Sequence, residues 1–245
     1  MKPDFEKAFV SISNHTTAID PMVLISVGFT SFAAKDAIQR WPFVGDAATG
    51  NQSIFISRSN KQLTQRAAHQ IESRINDDIQ ELGYPRKYPL LHVFPEGTTV
   101  NRTCLMPFKK GAFIGGKPVS MVLIEWDNKY RDPSDASCSI LTCLKPALMG
   151  IRTRVIVHYL GDYIPSPEEV QDSSLYANNV RKTYSKLTGW PMVEYTLKDK
   201  FYFYGINTDG YESTSQLFKD ALGQECTRYN GYYVDATDIK KLPME

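Results

Sequence analysis

A chain of 245 residues can bury one substantial core, and 42% hydrophobic with 22% charged residues excludes collagen-like, coiled-coil and disordered compositions. Lys and Arg total 28 against 27 Asp and Glu, a balance of +1 that gives no electrostatic reason to expect nucleic acid as a partner. No uninterrupted apolar run reaches the ~18 to 20 residues that cross a bilayer, the longest candidate being Val23 to Phe29, and the opening Met1-Lys-Pro-Asp-Phe-Glu-Lys is not a secretory signal.

In chain order, Phe9 to Ile12 reads as a short strand, a polar turn follows at Ser13-Asn14, and Thr16 to Phe32 predicts a helix. Trp41-Pro-Phe-Val-Gly45 breaks the pattern, and Ser53 to Ser57 is a compact β-branched and aromatic run that predicts a buried strand. Ile71, Ile75, Ile79 and Leu82 recur at steps of four and three within Leu63 to Leu82, with Gly83 closing an amphipathic helix. Leu90 to Phe94 predicts a strand that runs straight into Pro95-Glu-Gly-Thr-Thr99. Val119 to Trp126 and Arg152 to Tyr159 predict later strands, Pro165-Ser-Pro-Glu-Glu-Val carries a helix-start signature, and Tyr176 to Leu187 predicts a helix stopped by Gly189 and Pro191.

Strands alternating with helices predict an α/β fold with a mostly parallel central sheet flanked by helices. Ligands sit beyond the carboxyl ends of such strands, so the polar segments after Ile12, Ile56 and Phe94 are expected to converge on one crevice. The expected division is one main domain at 1–197 and a Tyr- and Gly-containing tail or small unit at 198–245 with no chemistry assigned. Cys104, Cys138, Cys143 and Cys226 lack the paired spacing of a zinc ribbon and read as reduced thiols, so no metal is expected. The Asn-x-Ser/Thr triplets at Asn14, Asn51 and Asn101 read as chance in the absence of a signal.

Three segments carry groups able to do chemistry. His15 and Asp20 are five positions apart, which on a regular helix turns their side chains ~140° away from each other. Their pairing therefore needs His15 before the helix, at its cap, with Asp20 a turn in and Asn14 as cap or supporting partner. So placed, the carboxylate accepts from one ring nitrogen and leaves the other as a base for a hydroxyl proton. Phe94-Pro-Glu-Gly-Thr-Thr99 combines a rigid proline with a permissive glycine, a turn whose backbone N–H groups can meet an anion or oxyanion. Arg58, at the end of a strand, has the donor fork that clamps phosphate. Each segment alone also fits a blander role: a satisfied loop histidine, an ordinary turn, a solvated arginine.

Taken together, the segments resemble the blocks of the 1-acylglycerol-3-phosphate acyltransferase superfamily. Asn14-His15-Thr-Thr-Ala-Ile-Asp20 is similar to its His-x4-Asp block, Ser53 to Arg58 to the second, Phe94-Pro-Glu-Gly-Thr98 to the third, and Lys117-Pro-Val119 to the fourth. Lys35 and Trp41 to Gly45 are similar to the stretch between the first two blocks, while Thr98 to Asn101, Phe108-Lys-Lys-Gly-Ala-Phe113 and Leu175 to Arg181 resemble the branch acting on lysophosphatidylcholine and lysophosphatidylethanolamine. The likeness runs over about residues 9 to 197.

The resemblance implies acyl transfer from acyl-CoA, the co-substrate, to a lysophospholipid hydroxyl, without a bound cofactor. It implies that His15 is the base, that Asp20 orients and supports it, and that Arg58, Glu96, Gly97 and Thr98 hold the glycerol-phosphate portion of the acceptor. Backbone N–H groups near Gly97 are expected as oxyanion donors, and Lys109 and Lys110 as contacts for the anionic CoA. The commonest third block has Arg where this chain has Thr99, which favours a zwitterionic acceptor over lysophosphatidic acid. Many relatives carry hydrophobic anchoring segments upstream of the first block, whereas 14 residues precede His15 here, so the expectation is a truncated or soluble-looking form of such a protein. Peripheral attachment to the cytoplasmic face of an internal membrane, such as the endoplasmic reticulum, is the expectation. The competing expectations are a catalytically silent lipid-surface scaffold with the same fold and an enzyme for lysophosphatidic acid. A serine hydrolase lacks its Gly-x-Ser-x-Gly elbow here.

Overall fold

The strand pattern folds into one six-stranded sheet. The computed structural model describes residues 8, 10–29, 31–57, 61–80, 88–127, 154–197 and 199–200. The strands are β1 (Val10–Ser13), β2 (Ser31–Lys35), β3 (Ile54–Ile56), β4 (Leu91–Val93), β5 (Val119–Trp126) and β6 (Val155–Tyr163). Their order is β3-β2-β4-β1-β5-β6, and every pairing is parallel except β5 with β6. The helices are α1 (Asp20–Ser26), α2 (Val44–Gly50), α3 (Lys61–Gln80), α4 (Pro167–Gln171) and α5 (Ser173–Thr188), with short 3-10 turns at Asp36–Arg40 and Lys110–Ala112. This is the expected α/β architecture with a mostly parallel sheet.

Alternation along the strands divides the core between the two faces of the sheet. Val10, Ile12, Leu91, Val93, Val119 and Met121 pack with Ala67, Ile71 and Ile75 of α3 and with Tyr176, Val180 and Tyr184 of α5. Phe32, Val122, Ile124 and Trp126 pack with Leu24 of α1 and with Phe29. Each large apolar side chain removed from water contributes about 1.5 to 3 kcal/mol. Arg74 of α3 fastens that helix beneath the sheet: it donates to the Ser31 hydroxyl at 3.0 Å, to the Gln52 carbonyl at 2.7 Å and to the Pro89 carbonyl. Later helices have local stops and starts. Ser166 and Glu169 form a capping box on α4, Asp172 caps α5, and Gly189 ends α5 at φ +72°.

Two expectations need correction. The helix expected over Thr16 to Phe32 occupies only Asp20–Ser26, and Ser31–Lys35 is strand β2. Thr16 and Thr17 give their backbone N–H groups to the Asp20 carboxylate rather than to a helix, and Gly28 at φ +107° turns the chain back toward the sheet. β2 has no β-branched residue; pairing with β3 and β4 on both sides holds it extended, a tertiary effect that overrides local preference. The last strand is displaced to Val155–Tyr163 and runs antiparallel, with a register shift opposite Gly161, which stands at φ +102°. The expected tail unit at 198–245 lies outside the described residues, apart from Asp199 and Lys200.

The neighbouring parallel strands β1 and β4 end at one edge, so the segments after Ser13 and Val93 lie side by side. Val100 donates its N–H to the His15 carbonyl at 2.7 Å. Asn14 clamps the point where the chain leaves the sheet. Its side-chain amide reads Ile124 as a neighbouring strand would, donating to the Ile124 carbonyl at 3.0 Å and accepting the Ile124 N–H at 2.8 Å. The Tyr184 hydroxyl accepts the Asn14 N–H at 3.3 Å and lies 2.8 Å from the Val122 carbonyl. Asn14→Ala leaves both backbone groups of Ile124 unpaired in the core, so we expect a loss of roughly 2 to 4 kcal/mol of stability. Urea unfolding would read it as a lower midpoint at unchanged m-value, and a shift below ~0.5 kcal/mol would show that the clamp carries no weight.

Candidate active site

The site is built on the loop between β1 and α1. Asp20 opens α1 and is fully buried. One carboxylate oxygen accepts the Thr16 N–H at 2.6 Å and the Thr17 N–H at 2.9 Å and lies 2.9 Å from His15 Nδ1; the other accepts the Trp126 indole N–H at 2.8 Å. A carboxylate engaged by so many donors is an acceptor only, which assigns the proton between it and His15 to Nδ1. In the neutral ring the lone pair then lies on Nε2, which makes no hydrogen bond to a described residue. The His15 side chain is 19% exposed and lies flat on the Phe94 ring, centroids 3.9 Å apart at 15°. The expected place of His15 at the cap of α1 needs correction: Ile19 holds that position, and His15 meets Asp20 from the loop before it.

The turn after β4 stands against this loop. Gly97 lies at φ +70°, and its N–H is taken by the Phe94 carbonyl at 3.0 Å, so the expected oxyanion donor is engaged within its own turn. A Cβ at residue 97 would stand 2.7 Å from Lys109 Nζ and 3.0 Å from its Cε, so the lysine lies across the glycine. Glycine is favoured here by the left-handed conformation, while the lysine end could swing aside for a side chain. Lys110 is exposed on the following 3-10 turn.

Glu96 turns inward. It is 2% exposed and accepts the Met106 N–H at 2.8 Å. Burial pushes its carboxyl up to about 7, against the opposing pull of that N–H and of the Arg181 and Lys200 charges. Thr98 lies at the rim, where Lys200 Nζ donates to its hydroxyl at 3.1 Å and to the Thr99 carbonyl at 2.9 Å. Arg58 lies outside the described residues.

The sequence reading did not single out Trp126 or Lys200. Trp126 carries a buried indole at the carboxyl end of β5, and a polar tip inside an apolar strand is the signal available for it. Lys200 arrives from a segment with no motif, so nothing in the sequence points to it. Among the described residues no group of three or more His, Cys, Asp or Glu side chains is disposed to hold a metal ion, and no helix is long and apolar enough to cross a membrane.

Residues 3–115 match the family described as Acyltransferase. The chain is 31% identical to the lysophosphatidylcholine acyltransferase of Drosophila melanogaster over 198 residues, covering 79% of this chain and 36% of that protein. It is 33% identical to the lysophospholipid acyltransferase LPCAT4 of Homo sapiens over 187 residues, 74% of this chain and 33% of that protein. The chain thus spans about a third of the length of the curated relatives it matches. The crystal structure of a 1-acyl-sn-glycerophosphate acyltransferase from Thermotoga maritima superposes with a TM-score of 0.43 at 21% identity, covering 77% of this chain and 68% of that one. The family match spans both the His15–Asp20 loop and the glycine turn, and the chain belongs to the 1-acylglycerol-3-phosphate and lysophospholipid acyltransferase superfamily, in its lysophosphatidylcholine acyltransferase-like branch.

Proposed function

We propose that the protein transfers a fatty acyl group from acyl-CoA to the free hydroxyl of a lysophospholipid, with lysophosphatidylcholine or lysophosphatidylethanolamine as the favoured acceptor. The reading rests on the contact between His15 Nδ1 and Asp20, which in the neutral ring leaves the Nε2 lone pair available as a base. His15 Nε2 takes the proton of the acceptor hydroxyl as its oxygen attacks the thioester carbonyl. The C–O ester bond forms, the C–S bond breaks, and the departing thiolate recovers the proton from the imidazolium. No covalent enzyme intermediate enters. Asp20 keeps the ring in the required tautomer and offsets its transient positive charge.

Thr98 and Gly97, with Arg58 as the resemblance implies, hold the glycerol-phosphate portion, while Glu96 acts from beneath by keeping the turn in shape, in keeping with its burial. The Thr98 N–H makes no hydrogen bond to a described residue, so it replaces the engaged Gly97 N–H as our choice of oxyanion donor. Lys109, lying over Gly97, and the exposed Lys110 offer positive charge to the phosphates of CoA. The acceptor and donor are both amphipathic, so the site works at a membrane surface, for which we propose the cytoplasmic face of an internal membrane.

Incubation of the purified protein with acyl-CoA and lysophosphatidylcholine is expected to release CoA and yield diacyl product identified by mass. His15→Ala should lower turnover by about 10²- to 10⁴-fold, the usual worth of a positioned base. Asp20→Asn should lower it too, because an amide can present N–H to Nδ1 and move the ring proton to Nε2. Undiminished turnover in a folded His15→Ala protein would remove His15 as the base. Thiol release without diacyl product would identify a hydrolase, and no release at all by the unmodified protein would leave a lipid-binding scaffold.

A second expectation concerns Glu96. The folded protein holds this proton more tightly than the unfolded chain does, so unfolding releases it and the stabilisation fades as pH rises from 4.5 to 7. Relative to Glu96→Gln, the unmodified protein should lose about 1.4 kcal/mol per pH unit across that window, roughly 3 kcal/mol in all. Urea unfolding of both proteins at several pH values measures the difference, and parallel profiles would exclude a raised Glu96 pKa.

A further inference from the structure

The sheet contains a buried polar cluster that the proposed chemistry does not use. Ser11 and Ser13 of β1 point to the same face as His92 of β4, and Ser11 is the register partner of His92. All three side chains are buried, at 0%, 1% and 0% exposure respectively. The Ser11 hydroxyl lies 2.8 Å from His92 Nδ1, and the Ser13 hydroxyl lies 3.0 Å from His92 Nε2. We propose that His92 is a positioning residue for His15, its imidazole wedged between two hydroxyls so that the backbone and the aromatic wall holding the base have one arrangement. This inference rests on the reading of His15 as the base.

The hydrogen count leaves a single solution. Ser13 Oγ donates its only proton to the Asn14 carbonyl at 2.9 Å, so it must accept from His92 Nε2–H. His92 Nδ1 is then bare and accepts the Ser11 hydroxyl proton. Every polar atom of the ring is satisfied in the neutral Nε2–H form. A second ring proton would face the Ser11 oxygen and force that hydroxyl to turn away. Burial opposes the second proton as well, holding the pKa at about 3, and a positive charge on His15, whenever that ring is protonated, adds to the effect.

From this ring two routes lead to His15. One is covalent and short: the Ser13 hydroxyl fixes the Asn14 carbonyl, whose peptide begins His15. The other is aromatic. Phe94 takes the His92 ring edge-on, with centroids 4.9 Å apart at 72°, and carries the His15 ring flat against it at 3.9 Å. Phe29 and Phe32 close on His92 at 5.4 and 5.8 Å, so the ring has no alternative seat. An aliphatic residue at 92 would fill the volume, yet it would release both serines and free the Ser13 rotamer. A buried polar network that is fully satisfied specifies one arrangement, and a base displaced by a fraction of an ångström loses rate.

The test uses the full chain with 15N-labelled histidine. Its four histidines make the ring signals assignable, with His15→Ala identifying the His15 set. Ser13→Ala and His92→Phe are the first variants. The triple variant Ser11→Ala/Ser13→Ala/His92→Phe removes every polar member at once and protects against misfolding from an orphaned group. We expect the His15 Nδ1–H resonance and the His15 titration midpoint to move in each folded variant. We also expect kcat to fall ~10- to 100-fold with KM for acyl-CoA held within about threefold, as displacement of a reacting group predicts. His92→Gln, whose amide can offer an N–H toward Ser13, should recover part of both. Unmoved His15 signals in folded variants overturn the proposal whatever the activity. If the unmodified protein transfers no acyl group, the functional reading falls, and the His15 signals alone still decide whether His92 positions that ring.

Discussion

The buried carboxylate of Asp20 is the interaction on which the site depends. A charge withdrawn from water costs several kcal/mol unless donors surround it. Here the Thr16 and Thr17 backbones, the His15 ring and the Trp126 indole supply them, at 2.6 to 2.9 Å. Their gathering shapes the chain. Because Thr16 and Thr17 turn their N–H groups to the carboxylate, the helix begins only at Asp20, and His15 is left on a loop instead of a helix face. Because Trp126 belongs to β5, the same carboxylate ties that loop to the sheet. One buried side chain therefore sets the loop path, the orientation of His15 and the attachment of both to the scaffold.

The two faces of the sheet divide the labour. Against α3 and α5 the interior is apolar and supplies most of the burial that holds the fold. On the other face, polar side chains interrupt the core beside the carboxyl end of β1: Ser11, Ser13 and His92 bond one another, while Asn14 reaches across the sheet edge to Ile124. Such groups are costly to bury, and here each finds a partner. They are rigid in consequence, and the loop that bears His15 springs directly from them.

Opposite the loop, the glycine turn keeps apart two kinds of residue that stand next to each other in sequence. Gly97 and Thr98 are half-buried, with Lys109 lying over the glycine and Lys200 bringing positive charge to Thr98 from a distant part of the chain. Glu96, one position earlier, points into the protein and ties the turn to Met106. Adjacent residues of one motif thus face different environments, and their chemistry differs accordingly.

The alternation of helices and strands, the apolar steps at Ile71 and Ile75, and the block residues of β1 and β4 were legible in the sequence because each is a local pattern with a local cause. The α/β class and the family followed from them. β2 was not legible: Ser31–Lys35 lacks the composition of a strand and is held extended by its neighbours. The antiparallel sense of β6 was hidden for the same reason, since a strand's direction depends on its partner. At the site, the residue types at His15, Asp20 and Gly97 could be read along the chain. The inward turn of Glu96, the engagement of the Gly97 N–H, and the arrival of Trp126, His92 and Lys200 could not. Those depend on which strands lie side by side, and that order is decided only when the whole sheet closes on its core.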